Sequence, residues 1–316
     1  MQVNKYSGNH YKWDHYKKEY VAVGTSAGIA AAFGAPSASV LFVMEEMASF
    51  WSTPLLWMVT LGSFFAATLF NIMRAIYDGN PDYINVEDLV IFGQLSHNEY
   101  QMWEILTFAF IGIMGGLTGG MFNWINTHIT LFRKKYCWGK PHIRVLEVVC
   151  VTFVSICLFF VMPLWFTECK SNHGHDKDKT PLVRWDCDHD EHNLMANLTF
   201  QNMDKACLNL FHYDDDFGFG VLAIYWLLLY TCAVVTYGLS IPSGLIDPTV
   251  FTGAAMGRFF GEFVENYIDS HIEPGPYAVA GAAAFLAGVS RLTLAVAVLI
   301  LSIVNNNDYF LPMILA

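Results

Sequence analysis

The stretch TPLLWMVTLGSFFAATLFNIM, residues 53–73, contains neither an acid nor a base. About 20 apolar residues wound as a helix cross the roughly 30 Å hydrocarbon core of a bilayer. Two further stretches, Val148–Thr167 and Phe217–Pro242, are also free of charge over such a length. The whole chain agrees with them: 54% of its residues are hydrophobic, 16% aromatic and only 14% charged. A soluble domain carries roughly a quarter charged residues, so this chain lacks the charge to cover a water-facing surface. The sequence predicts an all-α polytopic membrane protein whose first partner is the lipid bilayer. Its N-terminus, MQVNKYSGNHYKWDHYKKEY, is polar and has no apolar core, so no secretory signal peptide is expected there. A net charge of −11 argues against nucleic-acid binding.

Charge placement predicts the topology. Arg133, Lys134, Lys135, Lys140 and Arg144 fall within one short loop that holds no acid. Such a loop belongs on the cytoplasmic side. One crossing later, Glu168–Asp216 carries eleven acids against five bases and is expected to be luminal. It contains Cys169, Cys187 and Cys207, candidates for a disulfide, and Asn197-Leu198-Thr199, a glycosylation sequon. The other cysteines read as ordinary thiols. His173, His175, His189, His192 and Cys187 lie in this loop too, but their spacing fits no standard zinc pattern. No metal is expected, and the loop reads as solvated. Counting crossings back from the basic loop puts the doubled acid Glu45–Glu46 at the cytoplasmic end of a short helix.

Other membrane segments are short or broken. VAVGTSAGIAAAF (Val21–Phe33) and YAVAGAAAFLAG (Tyr277–Gly288) are too short to span and rich in Ala and Gly, which let helices approach closely. The glycines of GIMGGLTGG (Gly115, Gly116, Gly119 and Gly120) read as helix packing. In residues 237–262, Pro242, Gly244 and Pro248 interrupt any regular spanning helix. A helix is expected to start at about Pro248, with Asp247 as one candidate for its cap. Free amides just before it, backed by the helix dipole, would form an anion site without a cationic side chain. Broken helices meeting at mid-membrane are a transporter signature.

Three segments resemble the CLC family of chloride channels and chloride/proton exchangers. AAAFGAPSASVLFVMEEMASFW (30–51) is similar to the family's AAFxAPxxGxLFxxEE segment. SIPSGLIDPTVFTGAAMGRFFGE (240–262) is similar to its GxFxP anion-site segment, and PGPYAVAGAAAFLAGVSRLTLAVAVLI (274–300) to its PGxYAxxGAAAxLxGxxRxT segment. They stand in family order, and the long cysteine-bearing loop is most similar to the eukaryotic endosomal and lysosomal branch. The resemblance implies a bundle of tilted, broken and re-entrant helices. Four regions follow: a polar segment 1–20, membrane helices 21–167, an acidic luminal loop 168–216 and anion-site helices 217–316. It implies that Glu46 is the internal proton-transfer residue and Glu45 its electrostatic or structural partner. It also implies that the amides of Leu245 and Ile246 bind chloride, with Gly244 and Pro248 in the same segment. Family members are homodimers, so a dimer is expected, in an endosomal, lysosomal or other intracellular membrane, with the plasma membrane as the alternative.

Departures qualify these roles. Asp247 stands where the family has an apolar residue, Ser302 where Glu is common, and Ser37 and Ser39 where small residues, often Gly, are usual. GSGxP- and GKEGP-like segments are absent upstream of Val21, and YFLPMILA ends the chain inside an apparent membrane helix. The chain therefore reads as a partial copy of the family. Arg258 and Arg291 read as interface anchors or ion-pair partners. No P-loop, nucleophile elbow or dinucleotide motif is present, so neither an enzyme nor a bound cofactor is expected; chloride and protons are the transported ions. Chloride/proton antiport is the leading reading. The alternatives are a voltage-gated chloride channel and a non-transporting fragment that associates with complete relatives.

Overall fold

The computed structural model describes residues 14–48, 51–77, 102–137, 139–171, 183, 185–187, 191–212, 217–268, 272–304 and 310–316. Among them, four helices are long and apolar enough to cross a membrane: α3 (Thr53–Tyr77), α4 (Glu104–Tyr136), α5 (Pro141–Trp165) and α8 (Phe219–Thr236). Each of the three uncharged stretches overlaps one of these helices, and the fold is an all-helical membrane architecture apart from a small ribbon. The chain divides into two compact units.

The first unit contains α1 (Asp14–Phe33), α2 (Pro36–Phe42), α3 and α11 (Leu294–Val304). Helix α1 begins at Asp14, well before the apolar run at Val21, because the polar DHYKKEY segment contains no helix breaker. It ends at Gly34, whose φ of 62° a side chain would resist, and Pro36 opens α2. Ser26 and Ser39, both fully buried, hydrogen bond across α1 and α2 at 3.0 Å, and Ser39 Oγ also donates to the Pro36 carbonyl at 2.7 Å. A serine where glycine would fit is thus accommodated by satisfying its hydroxyl. Ala22, Val43, Leu55 and Val59 form the small core.

The second unit is built on α10 (Gly275–Ser290), which packs against α4 and against α9 (Ile246–Tyr267). Both crossings are glycine contacts. A Cβ on Gly281 would lie 2.5–2.6 Å from Gly253 O and from Gly257 Cα and N. On α4, Gly115 and Gly119 face the backbone of Ala284 and Gly288, whereas Gly116 and Gly120 have nothing within 4 Å. Within GIMGGLTGG, therefore, only one face is the packing face.

The acidic segment differs from the expected solvated loop. Its described residues form an antiparallel ribbon, β1 (Cys169–Ser171) with β2 (Glu191–Asn193), followed by α6 (Leu194–Thr199) and α7 (Met203–His212). Asn193 caps α6 by accepting the Ala196 amide at 3.1 Å. Leu194 to Leu198 are buried, as are Ala206, Cys207, Leu210 and Phe211 on one face of α7. Two apolar runs between the charges were enough to make a packed cap. The disulfide joins Cys169 and Cys187, while Cys207 is buried in α7 and takes no part in it. Asn197 is fully buried, and its Oδ1 accepts the Val183 amide, so the sequon presents no acceptor on the folded surface. His192 is buried in β2; His173, His175 and His189 lie outside the described residues.

Candidate functional site

The predicted site residues fall in two places, one in each unit. In the first unit, α2 runs directly into a π-helical turn, Val43–Met47, in which the Ala48 amide reaches back to the Val43 carbonyl at 3.0 Å. Single π turns are rare and recur at functional sites. This one contains both carboxylates. Successive residues on a helical turn do not face each other, and the two acids indeed have different surroundings. Glu46 is exposed, with no hydrogen-bond or ion-pair partner among the described residues. Glu45 is half-buried and accepts the Thr293 amide at 3.1 Å, the Thr293 hydroxyl at 3.0 Å and the Leu294 amide at 3.1 Å, with Ala295 N at 3.4 Å.

These donors are the first N–H groups of α11, which no helix can satisfy internally. Glu45 thus caps α11 from a distance in sequence, with its negative charge at the positive end of the helix dipole. Glu45 thereby joins the π turn that carries Glu46 to the start of α11. Glu45→Ala is expected to cost about 1–2 kcal/mol, the scale of losing a helix cap. Thermal unfolding in detergent and amide exchange at Leu294–Val296 measure it, and Glu45→Gln should fall between the two. An unchanged unfolding midpoint together with unchanged exchange at these amides would refute the cap.

In the second unit, α8 ends at Thr236, Gly238 turns the chain with φ 88°, and α9 begins at Ile246. The helix therefore starts two residues earlier than its prolines suggest. Pro248 fits in the first turn because its missing N–H has no partner to lose there. Asp247 is an exposed first-turn acid rather than the residue before the helix, so it is not the cap. Its charge is favourable to the helix dipole while competing with any anion there. Among the described residues, the amides of Leu245 and Ile246 have no acceptor. Gly244 is exposed, and Leu245, Ile246 and Pro248 are half-buried. Two amides at the N-terminus of a helix of 22 residues can bind a small anion without a cation.

The basic residues are elsewhere. Arg258, expected near a helix end, is buried inside α9 and paired with Glu262 one turn on, Nε to Oε1 3.6 Å. Arg291 is the left-handed C-cap of α10. The sequence gives Asn126 no role and marks Arg133 only as part of a basic loop that sets orientation, yet both donate to the carbonyls that end α8. Two asparagines one turn apart on an apolar helix, Asn123 and Asn126, were the available signal.

Comparison with known proteins gives the family and the fold. A family model described as voltage gated chloride channel matches residues 5–316. The chain is 34% identical over 312 residues to H(+)/Cl(-) exchange transporter 7 of Homo sapiens, covering 97% of this chain and 38% of that protein. It is 31% identical to chloride channel protein A of Dictyostelium discoideum, covering 97% and 40%. The solved structure of a eukaryotic CLC transporter superposes with a TM-score of 0.65 at 20% identity, covering 96% of this chain and 46% of that one. A slow cyanobacterial Cl-/H+ antiporter gives 0.68 at 20% identity, covering 96% and 60%. The chain thus spans well under half the length of these curated relatives, and the two solved structures share its fold.

Proposed function

Since this chain belongs to the CLC family of voltage gated chloride channels, we propose that it takes part in moving chloride across a membrane in exchange for protons. The observation that carries the reading is the start of α9, where the amides of Leu245 and Ile246 have no acceptor among the described residues. Chloride is held there by backbone dipoles, with Gly244 leaving the approach open. Glu46 is the proton-transfer group. Its exposed carboxylate on a π turn is reachable by water, and the Glu45 contact with α11 keeps that turn in place. Relatives bearing the name H(+)/Cl(-) exchange transporter favour exchange over a channel. A homodimer in an endosomal or lysosomal membrane completes the proposal.

Parallel chloride and pH recordings from proteoliposomes containing the chain test it. Glu46→Gln keeps the shape but cannot take up a proton. Chloride flux should persist while coupled proton movement falls at least tenfold, on the order of losing one proton-transfer group. Unchanged proton movement would remove Glu46 from the pathway. Chloride flux without proton movement in the unsubstituted chain would favour the channel, and absence of any chloride flux the non-transporting association with complete relatives.

A further inference from the structure

The segment from Ser240 to Gly244 leads into the anion-site amides, and nothing polar holds it. All five residues are exposed, and among the described residues none makes a hydrogen bond. Leu239 and Ile241 border an apolar groove of about 500 Å³ against Val151, Ser155 and Ile156 of α5, so packing beneath the segment is open as well. Its position is therefore set at its two ends. One end is α9, fixed against α10 by the Gly253 and Gly257 crossings. The other is the C-terminus of α8.

That second end is held by two side chains of α4. Arg133 Nη2 donates to Val235 O at 2.5 Å and Nη1 to Tyr237 O at 3.0 Å. Asn126 Nδ2 donates to Val234 O at 3.0 Å and to Tyr237 O at 2.9 Å. The last carbonyls of a helix have no partner within it, and a cation is favoured beside them. The third edge of the guanidinium is used as well: Arg133 Nε donates to Glu147 Oε1 of α5 at 2.5 Å. One planar fork thus joins α4, α5 and α8, which the point charge of a lysine cannot reproduce. The next residue is Gly238 at φ 88°. A Cβ there would meet Thr130 Oγ1 at 3.3 Å and Arg133 Nη1 at 3.5 Å. The chain therefore leaves the clamp in one direction.

We propose that Arg133, assisted by Asn126, is a positioning residue for chloride, aiming the Leu245 and Ile246 amides by fixing where the connecting segment departs. Its own charge is engaged by Glu147 and the α8 carbonyls, so it does not act by attracting the anion. The inference rests on the anion-site reading of α9, and its test separates the two.

Arg133→Lys keeps the charge and loses the fork. In proteoliposomes it should raise the chloride concentration for half-maximal flux about tenfold, since small displacements of a binding group weaken function by such factors, with maximal flux changed less than twofold. A merely structural role would instead reduce the folded, active fraction, lowering maximal flux at an unchanged half-saturation concentration. Amide exchange is read in parallel without chloride. It should rise at Tyr237 and Leu239, whose amides donate to Ala233 O and Thr236 O at the end of α8, and stay unchanged at 251–264 inside α9. Asn126→Ala should act in the same direction more weakly, because Tyr237 O keeps its bond from Arg133. Unchanged exchange at Tyr237 and Leu239 would overturn the clamp. Raised exchange with unchanged half-saturation would overturn its link to chloride. If the unsubstituted chain shows no chloride-dependent flux, the anion reading falls with that link, while exchange alone still decides whether Arg133 fixes the segment.

Discussion

Gly281→Ala is expected to disrupt the second unit, although it adds a single methyl group. The Cβ would sit 2.5 Å from Gly253 O and from Gly257 Cα and 2.6 Å from Gly257 N. All three are backbone atoms of the facing helix, so no rotamer change relieves the clash. The helices must separate, and separation removes the contact of α9 with α10 along their length. The cost is expected at or above the roughly 1–3 kcal/mol typical of overpacking, because those cases are usually relieved by side-chain movement. Gly116→Ala is the control. That position has nothing within 4 Å, and alanine is favoured over glycine in a helix by about 1 kcal/mol. Thermal midpoints in detergent should therefore move in opposite directions. Equal midpoints for the two variants would refute the crossing as the determinant of the unit.

The second large effect is expected at the buried pair of α9. Arg258 and Glu262 are 1% and 0% exposed, and each also holds the cap segment. Arg258 Nη1 donates to Leu210 O at 3.4 Å and its guanidinium lies over the Phe217 ring, while Glu262 Oε1 accepts the Phe217 amide at 2.8 Å. Removing one member strands the other charge away from water. Arg258→Met or Glu262→Leu alone should cost about 3–5 kcal/mol. The double variant leaves no buried charge, and losing the Leu210 and Phe217 hydrogen bonds costs about 1–3 kcal/mol each. It should be less destabilised than the sum of the singles by at least about 1 kcal/mol in a double-mutant cycle. Strict additivity would mean that the two side chains do not act as a pair.

How far the sequence carried differs between elements for physical reasons. Uncharged runs such as Thr53–Met73 announced spanning helices because about 20 continuous apolar residues fit a helix across the bilayer and not a barrel strand. Helix ends were less legible. Asp14–Tyr20 is polar yet helical, since polarity describes the solvent around a segment rather than its dihedrals. Ile246 starts α9 ahead of Pro248 because proline is accepted throughout a first turn. The cap was misread because eleven acids masked two apolar runs, 194–198 and the inner face of α7. At the site, the acid pair and the amide segment could be named from their motifs. The Glu45 contact with residues 293–295 could not, because it joins positions 248–250 residues apart that no local pattern links. The same holds for Arg133: a basic residue at a membrane boundary normally signals orientation, and its fork is visible only once α8 lies beside it.

In a cell that places this segment in its secretory lumen, the burial of Asn197 would make the sequon report on folding. Sugar is attached to an exposed asparagine, and here the side chain is enclosed in α6 once the cap has formed. A chain that folds promptly in the secretory pathway would escape modification. One that lingers open would be marked, and the mark itself would then prevent α6 from docking. The fraction of glycan-bearing chains would thus report folding delay on an ordinary gel, with Gly281→Ala and the single Arg258 and Glu262 variants shifted upward in mass and Gly116→Ala unshifted.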